Sequence, residues 1–230
     1  MQAVILAAGL GKRLRPITET VPKPLVPVAG KPVVEYTIGH LPTEVDEIIF
    51  VVGYKGHMLR ERFGDSTAGR SVRYVEQGEP LGTGHAVRQA KPLVRGNFLL
   101  LYGDDIYGAD GLQRLVKHDC GLLVRRVDNP QNFGVVVTDE HGCVARLVEK
   151  PKEFVSDLSW VGAGVFPETF LDIETPLSQR GEYEATDMFN VLIQQGTRIY
   201  TEVADLWLPG NTHEEVQHAA EELQAVKHGT

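Results

Sequence analysis

The chain opens with Gln2-Ala3-Val4-Ile5-Leu6-Ala7-Ala8, an apolar run that Gly9 ends. A continuous apolar run of this length suits a strand buried on both faces, as in a parallel sheet. The segment 9–31 that follows contains four prolines and three glycines. A loop of that length inside a compact domain is usually functional. We therefore predict a central strand followed by a ligand-binding loop.

Beyond this loop the sequence alternates strands and helices as far as about residue 120. The predicted strands are 47–53, 71–76 and 97–103, and the predicted helices are 32–41, 55–63 and 85–90. Alternation of this kind indicates a parallel sheet with helices on both faces.

After residue 120 the predicted strands follow one another closely. They are 120–127, 133–138, 143–149, 160–166 and 197–203, with helices at 186–195 and 212–226. The last helix begins with Thr212-His213-Glu214-Glu215, which is typical of a capping box. We predict an α/β fold in a single domain, residues 1–230, with a parallel half and a more antiparallel half.

The composition is that of an ordinary globular protein, with 42% hydrophobic and 23% charged residues in a chain of 230. No apolar run approaches the ~20 residues that a membrane span needs. No basic segment precedes an apolar stretch near the start, so we expect a cytoplasmic protein without a membrane partner. Cys120 and Cys143 are too few for a disulfide framework or a structural zinc site.

The distribution of charge is uneven along the chain. The net charge is −8, which argues against a nucleic-acid partner, because such partners require a basic face. Residues 1–31 nevertheless carry five cations and one acid, a net +4. This pattern favours a site for a small anion in the glycine- and proline-rich loop, or else a solvated basic loop, and charge alone leaves both open.

Ligands of open α/β sheets bind beyond the carboxyl ends of the strands. The loop after the first strand places the Gly9 and Gly11 amides beside Arg13, whose planar fork matches phosphate oxygens. The spacing is not that of a Walker A loop, and it matches a dinucleotide-binding fingerprint poorly. A purely structural turn remains the alternative.

Two further loops end strands at the same edge. Asp104 follows an apolar strand, where a carboxylate can hold Mg²⁺ against a phosphate. The alternative is that Asp104 or Asp105 caps the next turn. The amide of Gln77, at the start of the loop 77–84, can read the edge of a base; the alternative there is a solvated turn.

Several segments are far more specific together than each is alone. Two of them read Leu6-Ala7-Ala8-Gly9-Leu10-Gly11-Lys12-Arg13-Leu14-Arg15-Pro16 and Pro22-Lys23-Pro24-Leu25-Val26-Pro27-Val28-Ala29-Gly30-Lys31-Pro32. The others are 77–84, 100–104, 133–135, 148–151 and 181–187. In this order they resemble the sugar-1-phosphate nucleotidyltransferases, in particular the uridylyltransferase and thymidylyltransferase branch.

The resemblance implies a Rossmann-like three-layer sandwich with a mixed, mainly parallel central sheet. It also implies that the protein binds a nucleoside triphosphate and a sugar 1-phosphate and, with Mg²⁺, joins them and releases pyrophosphate. Positioning and charge neutralisation supply nearly all the catalysis of such a phosphate displacement. No general base is needed, so we interpret the eight histidines as surface or turn residues.

The resemblance also implies roles for individual residues. Arg13 would hold the triphosphate and the departing pyrophosphate, and Lys23 would bridge the α-phosphate and the sugar phosphate. The implied metal ligands are Asp104 and Asn211. The implied nucleotide-binding residues are Leu6, Ala8, Gly9, Gly11, Gln77, Gly82 and Thr83. The implied sugar-phosphate-binding residues are Gly134, Glu149, Lys150, Gly162 and Glu182.

The sequence departs from many relatives at two places. Gly162-Ala163-Gly164 stands where many relatives have Asn-Ala-Gly, so one hydrogen bond to a sugar hydroxyl is missing or comes from elsewhere. Asn211 stands where many relatives complete the metal site with an aspartate. Asn211 either takes over that role or serves as a turn residue before the last helix, and Asp205 is a weaker substitute.

We predict transfer of a nucleotidyl group from UTP or dTTP to glucose 1-phosphate or N-acetylglucosamine 1-phosphate, forming a nucleotide sugar. Gln77 with the segment 81–86 resembles the uridylyltransferases more, which favours UTP. The alternatives are a mannose-1-phosphate guanylyltransferase and a catalytically silent, nucleotide-sugar-binding regulatory subunit. The sequence leaves the sugar and the oligomeric state open, and it is compatible with a homo-oligomer.

Overall fold

The computed structural model describes the backbone of residues 1–228 and the side chains of residues 1–225. The strands are β1 (Gln2–Ala7), β2 (Pro27–Val28), β3 (Lys31–Pro32), β4 (Glu47–Val52), β5 (Ser66–Thr67), β6 (Arg70–Glu76), β7 (Phe98–Tyr102), β8 (Asp105–Tyr107), β9 (Gly121–Arg126), β10 (Gly134–Thr138), β11 (Val144–Glu149), β12 (Leu158–Phe166), β13 (Tyr200–Val203) and β14 (Trp207–Pro209). The helices are α1 (Val33–His40), α2 (Gly56–Phe63), α3 (Thr83–Gln89), α4 (Ala109–Leu115), α5 (Ala185–Gln194) and α6 (His213–His228).

Ten of these strands form one sheet, with β1 near its middle. The main path runs β11-β10-β12-β7-β1-β4-β6-β5, and β9 adds to β12 while β13 adds to β9. The strands β7, β1, β4 and β6 are parallel, whereas β12 is antiparallel to β7, β9 and β10. The prediction of a mixed, mainly parallel central sheet is therefore confirmed.

The apolar side chains of β1 explain its place in the sheet. Val4 and Ile5 are fully buried and point to opposite faces, since neighbouring residues of a strand alternate. Val4 packs in a cluster with Val87 of α3 and Phe189 of α5. Ile5 packs in a second cluster that includes Val34 of α1. Full burial of each such side chain contributes about 1.5–3 kcal/mol, so the sheet is stabilised from both faces.

Helix α4 and the pair formed by β8 and β14 were not predicted from the sequence. Helix α4 starts with the segment Ala109-Asp110-Gly111, which is a weak helix signal, and Asp205 supplies its cap by accepting from the Gly111 amide at 2.7 Å. The antiparallel pairing of β8 with β14 joins Asp105 to Pro209. Both features depend on partners about a hundred residues away, which local patterns do not show.

The predicted capping box of the last helix is present. Thr212 Oγ1 accepts from the Glu215 amide at 3.2 Å, and Glu215 accepts from the Thr212 amide at 3.1 Å. Across residues 1–228, every helix is too short or too polar to span a lipid bilayer.

Gly103 allows β7 to lie against the end of β1. Its amide donates to Leu6 O at 2.9 Å, and a Cβ at residue 103 would lie 2.7 Å from that oxygen. We expect Gly103→Ala to lower the free energy of unfolding by about 2–3 kcal/mol through this overpacking. Urea unfolding monitored by circular dichroism measures the change.

Gly39→Ala is the matched control for Gly103→Ala. A Cβ at residue 39, in α1, would meet no atom within 4 Å. Because alanine favours helix over glycine, we expect this control to gain up to about 1 kcal/mol. Equal unfolding midpoints for both variants would contradict the close approach at Gly103.

Candidate active site

The carboxyl ends of β1 and β7 lie side by side, and they bring two predicted loops together. The loop after β1 folds back in three short 3₁₀ turns, Lys12–Leu14, Ile17–Glu19 and Lys23–Leu25. Gly11 begins this path with φ 61°, and a Cβ there would lie 2.7 Å from the Thr18 side chain, so glycine is required.

Four of the predicted site residues meet at this edge of the sheet. The Lys23 ammonium donates to the Asp104 carboxylate and, at 2.8 Å, to Asn211 Oδ1. Arg13 Nη2 donates to the same Asn211 oxygen at 3.0 Å. The side chains of Lys23 and Asp104 are only 13% and 19% exposed, so their mutual attraction is weakly screened by water. We call Arg13, Lys23, Asp104 and Asn211 the phosphate corner.

The start of α6 fixes Asn211 in the phosphate corner. Glu215 accepts from the Asn211 amide at 2.6 Å as well as capping the helix. A ring nitrogen of His213 lies 2.9 Å from Arg15 O, which ties the helix to the loop after β1. Because these contacts already fix the backbone of Asn211, its side chain loses little conformational entropy when a ligand binds.

The donor set of the phosphate corner fits Mg²⁺. The Asp104 carboxylate and the Asn211 amide oxygen already face one cation, the Lys23 ammonium. Mg²⁺ is commonly bound by one or two carboxylates and completes its shell with water and substrate phosphates. Among the residues that the structure describes, no three His, Cys, Asp or Glu side chains cluster closely enough to hold a metal alone. The assignment of Asp104 and Asn211 as metal ligands stays a prediction.

Two other carboxylates, those of Asp105 and Asp205, form hydrogen bonds that stabilise the fold. Asp205 caps α4 through Gly111, so its suggested part as a substitute metal ligand is not supported. Asp105 is buried and accepts from Trp207 Nε1 at 3.0 Å. Burial, together with the nearby Asp104 charge, raises the pKa of Asp105 to about 8.

The loop 77–84, predicted to bind the nucleotide, packs on the segment 182–185. Gly84 N donates to Tyr183 O at 2.8 Å, and a Cβ at Gly82 would lie only 2.5 Å from that same oxygen. The Thr83 hydroxyl accepts from the Ala185 amide at 3.0 Å, so it has a structural partner. Gln77 is only 8% exposed, which rules out the solvated turn considered for it.

A group of charged side chains surrounds Arg180, among the residues where sugar binding is predicted. Arg180 contacts Glu149 at 3.0 Å, Glu184 at 3.3 Å and Glu182 at 3.8 Å. Lys150 Nζ lies 3.8 Å from Glu149. Burial and the Glu149 charge raise the pKa of Glu184, and Arg180 opposes that rise. This mixture of acceptors and cations suits a ligand that has both hydroxyl and phosphate groups.

Residues 2–215 match the family described as nucleotidyl transferase. This chain is a member of the nucleotidyl transferase family.

Individual relatives agree with this membership. The bifunctional protein GlmU of Methanococcus maripaludis is 37% identical over 90% of this chain and 50% of its own length. The UTP–glucose-1-phosphate uridylyltransferase AglF of Haloferax volcanii is 35% identical over 90% of this chain and 89% of its own length. The chain thus spans about half the length of the GlmU relative. A crystal structure of UDP-glucose pyrophosphorylase with UDP-glucose superimposes with a TM-score of 0.87, 20% identity and 98% coverage of both chains, which shows the shared fold.

In this nucleotidyl transferase, Gly162 has no space for a side chain. It is buried with φ 81°, and a Cβ there would lie 2.6 Å from the Tyr102 ring and 3.0 Å from Tyr107 Oη. The Asn found in many relatives therefore has no room. Tyr102 lies close enough for the charges of both Asp104 and Glu149 to affect its pKa, which burial raises. The sugar-phosphate-binding role of Gly162 stays a prediction.

The remaining predicted residues differ in how exposed they are. Gly9 is exposed and has open space around its Cα. Leu6 is half-buried, and Ala8 is buried against Gly53. Gly134 is buried, and a Cβ there would lie 2.8 Å from the Thr186 side chain, which leaves only its backbone for a ligand. The nucleotide and sugar roles of these residues stay predictions.

Several polar residues near the predicted ligand-binding residues were not identified from the sequence. Arg180 directly precedes the segment 181–187, which was recognised by its resemblance to the family, so it was the residue that the sequence came closest to identifying. Interpreting all histidines as surface or turn residues was wrong for two of them, which are half-buried within helices: His40 lies 2.7 Å from Tyr107 O, and His85 lies between two glutamines. No local pattern distinguishes such a histidine from an exposed one.

Proposed function

We propose that the protein transfers a nucleotidyl group from UTP, or from dTTP, to a hexose 1-phosphate and releases pyrophosphate. The observation that carries the proposal is the convergence of Arg13, Lys23, Asp104 and Asn211 in the phosphate corner. Two cations and a carboxylate with an amide oxygen form the set that a triphosphate with Mg²⁺ requires. The near full-length similarity to AglF, named a UTP–glucose-1-phosphate uridylyltransferase, supports the same reaction.

In the proposed reaction, a phosphate oxygen of the sugar 1-phosphate attacks the α-phosphorus of the triphosphate. The bond between the α-phosphorus and the bridging oxygen breaks, and pyrophosphate leaves with that oxygen. Lys23 lies where it can neutralise charge at the α-phosphate, and Arg13, more exposed, can hold the departing pyrophosphate. The attacking oxygen is already ionised, so no side chain needs to remove a proton.

Mg²⁺ would be held by Asp104 and Asn211, where it supplies further positive charge against the phosphates. The Lys23 ammonium now bridges those two oxygens, so it is free to turn to a phosphate once another cation replaces it there. The same residues therefore serve both the ligand-free and the loaded protein.

The charged group around Arg180 supports placing the sugar 1-phosphate beside Glu149 and Lys150. Glu149 can accept from sugar hydroxyls, whereas Arg180 and Lys150 can pair with the phosphate. Arg180 must then exchange a carboxylate partner for the phosphate. Charge-assisted pairs of this kind fix orientation as well as affinity.

Pyrophosphate release over a grid of UTP, dTTP, CTP, GTP and ATP against glucose, N-acetylglucosamine and mannose 1-phosphates tests the proposal. We expect the fastest release with UTP or dTTP and one of the first two sugars. Fastest release with GTP and mannose 1-phosphate would identify the guanylyltransferase instead. Absence of release with every pair, in protein that binds nucleotide sugar, would identify the silent regulatory subunit.

Glu149→Gln tests the proposed sugar-phosphate site around Arg180. We expect the KM for the sugar 1-phosphate to rise about tenfold or more, because a neutral amide accepts hydrogen bonds from sugar hydroxyls more weakly than a carboxylate does. The KM for UTP should change little. Glu140→Gln, at an exposed carboxylate of the β10–β11 turn, is the control. A rise in the KM for UTP, with the KM for the sugar 1-phosphate unchanged, would contradict the placing of Glu149 at the sugar.

A further inference from the structure

Three polar side chains form a row behind the proposed base site. Gln77 Nε2 lies 3.3 Å from His85 Nδ1, and Gln89 Nε2 lies 3.1 Å from His85 Nε2. Each glutamine nitrogen also lies near a backbone oxygen, 3.1 Å from Gly82 O for Gln77 and 3.2 Å from His85 O for Gln89. The nucleotide-binding roles described above do not use His85 or Gln89.

His85 cannot form a hydrogen bond with both glutamine nitrogens in this arrangement. A neutral imidazole has one N–H and one lone pair, so only one ring nitrogen accepts a hydrogen bond. A backbone oxygen only accepts, so it holds the amide nitrogen of each glutamine on its own side. One of the two glutamines must therefore turn its amide over and accept from the remaining ring N–H.

Burial decides which glutamine turns. The Gln77 side chain is enclosed, with 8% of the residue exposed, and turning its amide would set its oxygen against Gly82 O without compensation. Gln89 lies on the partly exposed face of α3 and can compensate with water. The stable arrangement has a lone pair on His85 Nδ1, a proton on Nε2 and the turned amide oxygen of Gln89 accepting it.

In this arrangement both N–H groups of Gln77 are used inside the protein. One donates to Gly82 O and the other to His85 Nδ1. Its carbonyl oxygen has no hydrogen-bond partner among the residues that the structure describes. The amide of Gln77 can thus offer an incoming base an acceptor and no donor.

We propose that His85 is a positioning residue that fixes the Gln77 amide, so that the protein selects bases with a ring N–H. This inference rests on the proposed function, in which Gln77 contacts the base. Uracil and thymine carry such an imide N–H. Cytosine presents a lone pair at the same ring position, and two acceptors facing each other leave both unpaired, which costs affinity. His85 thereby contributes to base choice without touching the nucleotide.

The test compares UTP with CTP in wild-type protein and in His85 variants, by equilibrium binding and by kcat/KM at saturating sugar 1-phosphate. In His85→Leu the Gln77 amide is free to turn, and we expect the UTP-to-CTP preference to fall about tenfold or more. His85→Asn places its Oδ1 at the position of Nδ1, so it should restore at least half of that preference on a logarithmic scale. The KM for the sugar 1-phosphate should stay unchanged in both variants.

His57→Leu is the matched control, because His57 is exposed on α2 and its side chain makes no hydrogen bond within the described part of the chain. Should His85→Leu fail to fold, His85→Gln replaces it, since its amide reaches the Nε2 position and leaves Nδ1 unmatched. The ¹⁵N chemical shifts of His85 in wild-type protein give an independent readout, with the lone pair expected on Nδ1.

An unchanged UTP-to-CTP preference in His85→Leu, or in His85→Gln where it replaces that variant, would overturn the positioning role, and so would a protonated Nδ1. Failure of the proposed function is distinct from this: wild-type protein would then release no pyrophosphate with any pair of substrates. The ¹⁵N shifts and the binding measurements remain informative in that case, because neither requires turnover.

Discussion

Asp104→Ala should lower the turnover number by about a thousandfold or more, whatever the substrate pair. Asp104 is the carboxylate of the phosphate corner, and its loss removes the charged ligand of the proposed Mg²⁺. It also frees the Lys23 ammonium from its partner. Loss of one preorganised electrostatic contact in a water-poor site costs roughly 3–4 kcal/mol in the transition state, and loss of a metal ligand costs more. Initial rates of pyrophosphate release against Mg²⁺ concentration measure the effect.

Folding must be separated from chemistry in this experiment. Asp104 follows β7 at a partly exposed position, and the neighbouring Asp105 holds the Trp207 ring, so we expect the far-ultraviolet spectrum to be unchanged. Asp128→Ala is the control, since it removes an exposed carboxylate from the loop after β9. Wild-type rates and wild-type Mg²⁺ dependence in Asp104→Ala would refute the metal assignment.

The parallel half of the fold could be predicted because its signal is local. The apolar run of β1 and the residue patterns of α1 and α2 are visible in the sequence itself. The predicted first and last residues of these three elements lie within two residues of the observed ones. The meeting of the loop after β1 with Asp104 was predictable for another reason: each follows a strand of the parallel sheet, and such strands end at the same edge. The roles of Lys23 and Asn211 were implied only by the resemblance to the sugar-1-phosphate nucleotidyltransferases.

Other features of the site depend on packing that only the folded chain reveals. Nothing near Gly162 in the sequence shows that the Tyr102 ring fills the space of a side chain there. The position of Arg180 among three glutamates depends on how the segment before α5 folds against β11. The row through His85 depends on a strand end and a helix start that meet in space.

Lys23→Ala is expected to lower kcat by about a hundredfold or more, with a smaller effect on the KM for UTP. Its ammonium is the buried cation nearest to Asp104 and Asn211, and charge that develops at the α-phosphate is stabilised most by a preorganised cation. Lys23→Arg should recover little of the rate, because a planar guanidinium does not fit the place of a compact ammonium. Single-turnover measurements separate the chemical step from product release.

Lys23→Ala also leaves the Asp104 carboxylate without its counter-charge in the ligand-free protein. With the two side chains 13% and 19% exposed, that loss should lower the free energy of unfolding by about 1–3 kcal/mol. Mg²⁺ should restore part of this stability if Asp104 and Asn211 bind it, since a ligand that binds only the folded state stabilises that state. Lys12→Ala, at an exposed cation of the same loop, should change neither rate nor stability appreciably. Unchanged kinetics in Lys23→Ala, or stability that is insensitive to Mg²⁺ in that variant, would mean that the lysine and the two oxygens do not share one cation site.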